Sequence, residues 1–195
     1  MPAIARDYPL LAAFASTYVT GFVSYGVARG APETIVYFVA MTAAMTLVAR
    51  LYRRVKLTAG VLWGLAIWGA AHMAGGLIPA GADVLYNQRL GPEIVHYDRL
   101  VHAFGFGFGT IAAWQSLRGW ITSERPPTAG LAVIIALVGM GIGAFNEVLE
   151  FAMTKVNENS NVGGYDNTGW DLVFNMFGAA VAATWVARRD FSADS

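Results

Sequence analysis

Six stretches of the chain contain no Asp, Glu, Lys or Arg: Leu10 to Ala28, Thr34 to Ala49, Leu57 to Ala82, Leu100 to Leu117, Pro126 to Asn146 and Leu172 to Ala187. A helix needs about 20 mostly apolar residues to cross a bilayer core, and several of these stretches approach that length. The shorter ones reach the interface through Arg50, Arg53, Arg188 and Arg189, whose long stems carry the charge to water. Lipid offers no hydrogen bonds, so each stretch must satisfy its own backbone and folds as a helix. The same argument overrides the strand-like alternation of Phe104, Phe106 and Phe108 with glycines, because a lone strand at bilayer depth leaves its backbone unpaired.

The expected fold is therefore an all-α membrane protein, a six-transmembrane-helix bundle with spans at about residues 10–28, 34–52, 58–79, 99–118, 129–153 and 170–188. Composition agrees: 56% of residues are hydrophobic and 13% charged, against about 25% charged in soluble domains. No repeat, low-complexity tract or linker divides the chain, so residues 1–195 read as a single integral membrane domain. Arg6 precedes an apolar stretch too long for a signal peptide and without a small-residue cleavage site, which reads as an uncleaved first helix. The 13 basic residues balance the 13 acidic ones, which gives no nucleic-acid footprint. The absence of Cys excludes disulfides, thiolate ligands and a Cys nucleophile.

Lys and Arg resist translocation and collect in short cytoplasmic loops. With the N-terminus inside, Arg6, Arg50, Arg53, Arg54, Lys56, Arg118, Arg125, Arg188 and Arg189 are cytoplasmic, nine of the 13 basic residues. Both termini are then cytoplasmic, and the protein is a multi-pass component of the cytoplasmic membrane. His72, His96 and His102 fall in the outer half, as do most acids, including Glu158. The stripes Gly60/Gly64, Gly105/Gly109 and Gly139/Gly143 are each four apart and predict close helix contacts.

Ionisable groups inside a span are costly and usually face the bundle interior, so each is a candidate functional residue. Asp98 and His102 open the fourth span at helical spacing, Asn146, Glu147 and Glu150 close the fifth, and Asp171 and Asn175 open the sixth. Asp98, His102, Glu147, Glu150 and Asp171 are the candidate catalytic residues, with capping or interhelical hydrogen bonding as the competing reading for Asp98, Asp171 and His102. His72, His102, Glu147 and Glu150 are candidate ligands of a divalent metal, since His and carboxylates from facing helices suit Zn or Mn. Asn146, Asn175, Tyr165 and Asp166 are candidate substrate contacts, with Asn157, Asn159, Asn161 and Asn167 from the same outer loop as further head-group binders. No GxSxG elbow is present.

The pieces Asp98-Arg-Leu-Val-His102, Asn146-Glu147-Val-Leu-Glu150 and Asp171-Leu-Val-Phe-Asn175-Met-Phe-Gly178 resemble the VanZ-like membrane proteins and the related YjdF-type family. The resemblance covers Tyr97 to Ala183. Glu150 stands where the VanZ pattern often has Gln, and the long Lys155 to Trp170 segment ending in Gly169-Trp170 looks closer to the YjdF type. The resemblance implies a membrane protein facing the cell envelope. The function expected from the residues is an outward-facing His/carboxylate site that binds or processes a lipid or lipid-linked envelope substrate, with or without metal assistance. A small proton- or ion-coupled transporter and a non-catalytic assembly subunit are the competing readings.

Overall fold

The computed structural model describes residues 2–121, 129–156 and 164–190. Of the residues named above, Arg125, Pro126, Asn157, Glu158, Asn159 and Asn161 lie outside the described residues. The described elements are α1 (Pro2–Asp7), α2 (Pro9–Arg29), α3 (Glu33–Val55), α4 (Ala59–Leu77), the antiparallel pair β1 (Pro79–Ala80) and β2 (Asp83–Val84), a 3-10 turn (Leu85–Asn87), α5 (Tyr97–Leu117), α6 (Ala129–Val156) and α7 (Tyr165–Asp190). Among the described residues, α2, α3, α4, α6 and α7 are long and apolar enough to cross a membrane. Side chains such as Ile35, Phe38, Leu137, Phe145 and Val181 lie exposed along them. That much outward apolar surface suits lipid and would aggregate in water.

The fourth expected span, α5, is 21 residues long but falls short of the other five in apolarity. Asp98, Arg99, His102 and Gln115 dilute it. Helix ends also differ from expectation. Pro79 pushes Ile78 into extended backbone, so α4 stops at Leu77 instead of running to 79. The chain α6 continues to Val156 and α7 begins at Tyr165, five residues before the expected sixth span, because a polar run that reads as loop forms the first turns of a helix.

The chain divides into two compact units, Met1–Asp98 and Arg99–Ser195. In the first, α2, α3 and α4 enclose a core of Ala15, Tyr18, Met41, Met73 and Leu77. At the far end of this unit Asp7 accepts hydrogen bonds from Arg6 (2.9 Å), Tyr52 (2.7 Å) and Lys56 (3.3 Å), tying α1 to the end of α3. The Arg6 guanidinium holds the Asp7 carboxyl well below the usual carboxylate range, with Tyr52 acting in the same direction. The segment between α4 and α5 is ordered by Gln88 donating to the Ala80 carbonyl (2.9 Å) and by Tyr97 donating to that of Ala71 (3.0 Å).

In the second unit α6 and α7 pack extensively, and α5 joins them through a core of Trp114, Ile135, Ala183 and Val186. Close approach is made at small residues. A Cβ on Gly178 would overlap the carbonyl oxygen of Ala103, and one on Gly107 would lie 3.3 Å from the Gly178 carbonyl oxygen, so α5 and α7 meet nearly backbone to backbone. Gly139 packs against Thr110 and Ala179. Of the predicted stripes, Gly139/Gly143 makes such contacts, whereas a Cβ on Gly60 or Gly109 would meet no atom within 4 Å. On α5 Gly107 makes a close contact with α7.

Candidate functional site

The close crossing at Gly178 sets the site. His102 immediately precedes Ala103 on α5, and Asn175 lies three residues before Gly178 on α7, so the two side chains meet: His102 Nδ1 donates to Asn175 Oδ1 at 3.0 Å. Asn175 is accommodated against α6 because residue 143 has no side chain; a Cβ there would fall 2.8 Å from Asn175 Nδ2. Gly143 is one turn before Glu147, and that helical spacing brings the Glu147 carboxylate to the same imidazole. Glu147 Oε1 lies 3.5 Å from His102 Nδ1, and Glu150 Oε1 lies 3.9 Å from His102 Nε2. Of these three contacts the one with Asn175 Oδ1, an acceptor, is within hydrogen-bond range, which makes Nδ1 the donor.

Asp171 completes the group from α7, one turn before Asn175. His102, Glu147, Glu150 and Asp171 each offer a ligand atom, and these atoms all lie within 4.8 Å of one another. Burial is deep: relative exposure is 3% for His102, 6% for Glu147, 0% for Asp171 and 1% for Asn175. The Glu150 side chain keeps 24% of its surface and is the most accessible of the four. Two unit charges 4.8 Å apart repel by about 3.5 kcal/mol at an effective dielectric of ~20. Three carboxylates in this space therefore call for a cation or for protons held between them.

Amide groups stand behind three of the four. Asn146 Nδ2 donates to Glu150 Oε1 at 2.7 Å and Asn167 Nδ2 to Asp171 Oδ2 at 2.6 Å, while Asn175 holds His102. Asn146 and Asn167 each precede their carboxylate by four residues, which puts donor and acceptor on one helix face.

The remaining candidates fall elsewhere. Asp98 sits in the first turn of α5, one turn before His102, and is not one of the four grouped residues. His72 belongs to the first unit, where its Nδ1 meets the Tyr86 hydroxyl and its ring packs edge-on to Tyr37 and Tyr86. Tyr165 (92% exposed) and Asp166 occupy the exposed first turn of α7. Asp171, expected at a helix start where capping would explain it, lies inside α7, well past its first turn. Glu147 and Glu150 likewise sit more than a turn from the end of α6, where the helix dipole has little reach, so burial is what makes them costly. The roles of Asn167, Gly143 and Gly178 went unrecognised in the sequence; the i, i+4 spacing of Asn167 and Asp171 was the available signal.

The family described as Predicted membrane protein (DUF2238) matches residues 10–190. The chain belongs to this family. The DUF2238 match takes in α2 to α7 and every residue of the His102 group, so the site lies within the family's own extent. No curated protein matches the chain, and no solved structure does. As a DUF2238 member with five strongly apolar helices, the chain is an integral membrane protein.

Proposed function

We propose that the second unit binds one divalent metal ion between His102, Glu147, Glu150 and Asp171, and that this centre binds or processes a lipid or lipid-linked envelope substrate at the non-cytoplasmic face of the cytoplasmic membrane. The observation that carries the reading is the convergence of one imidazole and three carboxylates, from three helices, within 4.8 Å. A single nitrogen with several oxygens suits Mn, Fe or Zn. Such an ion offsets the mutual repulsion of the carboxylates and supplies a Lewis acid at bilayer depth.

Access for a lipid is supported by the surroundings. Phe145, Val148, Leu149 and Phe151 flank Glu147 and Glu150 on α6 and are all more than half exposed, so the ligands border a lipid-facing surface. The orientation rests on the Lys and Arg distribution. In this reading α5 also crosses the membrane, as the fourth of six spans: Leu100, Phe104 and Leu117 face outward while His102, Thr110 and Gln115 are buried. The Asp-x3-His, Asn-Glu-x2-Glu and Asp-x3-Asn-x2-Gly pieces that resemble VanZ-like and YjdF-type proteins are the same pieces that build the cluster, which supports an envelope role.

The test is elemental analysis of purified protein joined to lipid binding by native mass spectrometry, for wild type, His102→Ala and Glu147→Gln. Wild type is expected to hold one divalent ion and a co-purified lipid, and both variants to lose the ion. A folded wild type that takes up no divalent ion would overturn the proposal. A second reading, a proton-coupled carrier, draws on His102 standing between Glu147 and Glu150 at 3.5 and 3.9 Å; proton-driven flux in liposomes would favour it.

A further inference from the structure

We infer that Asn175 is a positioning residue that fixes His102 in its Nδ1–H tautomer and so reserves Nε2 as the metal-binding nitrogen. The inference rests on the metal reading above and adds which atom of the imidazole carries the ion and what selects it. An imidazole can present only one lone pair, and the hydrogen bond made by the other nitrogen decides which. Here Nδ1 donates to the Asn175 amide oxygen at 3.0 Å. Nε2 therefore carries the lone pair, and it faces Glu150 Oε1 at 3.9 Å. That separation is too long for a hydrogen bond. It is close to that of two ligands on one ion, since bonds of about 2.0–2.2 Å place neighbouring ligand atoms roughly 3–3.5 Å apart.

An amide suits this position better than a carboxylate. Asn175 is 1% exposed and lies one turn from Asp171, so a charged acceptor would add a fourth negative group to a buried site that already holds three. Its placement is built into the backbone: Gly143 leaves the space that Asn175 fills, and Gly178 allows α5 close enough for His102 to reach it. Asn146 and Asn167 do for Glu150 and Asp171 what Asn175 does for His102, each fixing one carboxylate oxygen by a short hydrogen bond. Groups of this kind behind a metal ligand typically contribute 10–100-fold to metal affinity.

The experiment uses full-length protein labelled with 15N-histidine in liposomes at pH 8, with the His102 signal assigned by separate removal of His72 and His96, the other two histidines. Imidazole nitrogen shifts of the metal-free protein identify the protonated nitrogen, and competition with a chromophoric chelator gives the Zn2+ affinity. Wild type is expected to show His102 protonated on Nδ1 alone. Asn175→Leu is expected to move the proton to Nε2 and weaken Zn2+ binding 10–100-fold. Asn175→Asp, which keeps an acceptor, is expected to preserve the Nδ1–H tautomer. A wild-type His102 protonated on Nε2, or on both nitrogens, would overturn the inference, as would a tautomer unchanged in Asn175→Leu. The tautomer decides this inference even if Asn175→Leu folds poorly, because the wild-type spectrum alone can contradict it. Failure of wild type to bind Zn2+, Mn2+ or Fe2+ would instead remove the metal reading beneath it.

Discussion

His102 on α5 and Asn175 on α7 are joined by a hydrogen bond of 3.0 Å at a point where the two helices approach almost backbone to backbone. The bond exists because Gly178 lacks a side chain: a Cβ there would overlap the Ala103 carbonyl. Gly178→Ala should therefore push α5 and α7 apart, at about 1–3 kcal/mol of stability for an overpacked contact. Thermal unfolding in detergent is expected to show a lower midpoint together with weakened Zn2+ binding. A variant as stable as wild type and with undiminished Zn2+ affinity would show that the crossing does not set the site.

Glu147→Gln removes one of three clustered carboxylates, two of which are buried. The metal-free variant is expected to be at least as stable as metal-free wild type. Wild type should gain about 2.7 kcal/mol of apparent stability at Zn2+ one hundredfold above Kd, and the variant should lose most of that gain. Differential thermal unfolding with and without Zn2+ checks both halves. A metal-free Glu147→Gln much less stable than wild type would mean that Glu147 holds the helices together as a structural partner.

The fold was legible in the sequence chiefly through its charge-free stretches, because exclusion of charge from lipid is a strong constraint that acts along the whole helix. Five of the six expected spans appear as long apolar helices; α5 is weaker because the site residue His102 and the glycines that let it pack lower its hydropathy. Helix ends were less legible. The run Tyr165 to Trp170 is polar enough to read as loop, yet it forms the first turns of α7, where Asn167 and Asp171 share a face. The grouping of His102, Glu147, Glu150 and Asp171 was legible, because the cost of burying each shows in the sequence. His72 looked equivalent on that criterion, and its hydroxyl partner Tyr86 lies fourteen residues away in a short 3-10 turn that the sequence does not announce. Glycine spacing showed which faces are able to approach a neighbour, without showing that Gly107 and Gly178 would be used and Gly60 and Gly109 would not.

The natural absence of Cys makes orientation directly measurable. Tyr165 is 92% exposed at the site end of α7, and Trp120 is 83% exposed just beyond the opposite end of α5. In intact cells Tyr165→Cys is expected to react with a membrane-impermeant maleimide and Trp120→Cys only after lysis. The reverse pattern would place the site on the cytoplasmic face.

Asp7 provides a pH-dependent latch on α1. Its folded-state pKa is depressed, so the contribution of its bonds to Arg6, Tyr52 and Lys56 is complete above the unfolded-state value of about 4 and is lost as pH falls below it. Protection of the α1 amides, with the intrinsic pH dependence of exchange divided out, should fall on acidification below about pH 4. Asp7→Asn should exchange fast at every pH; equal protection of the variant and wild type at pH 7 would contradict the latch.

X-ray absorption at the metal edge of Zn2+-loaded, purified protein tests the central claim most directly. The expected spectrum has one imidazole nitrogen and the rest oxygen at about 2.0–2.2 Å, with the imidazole signature absent from His102→Ala and retained in His72→Gln. A spectrum without imidazole, or one whose imidazole survives His102→Ala, would contradict a metal centre at His102, Glu147, Glu150 and Asp171.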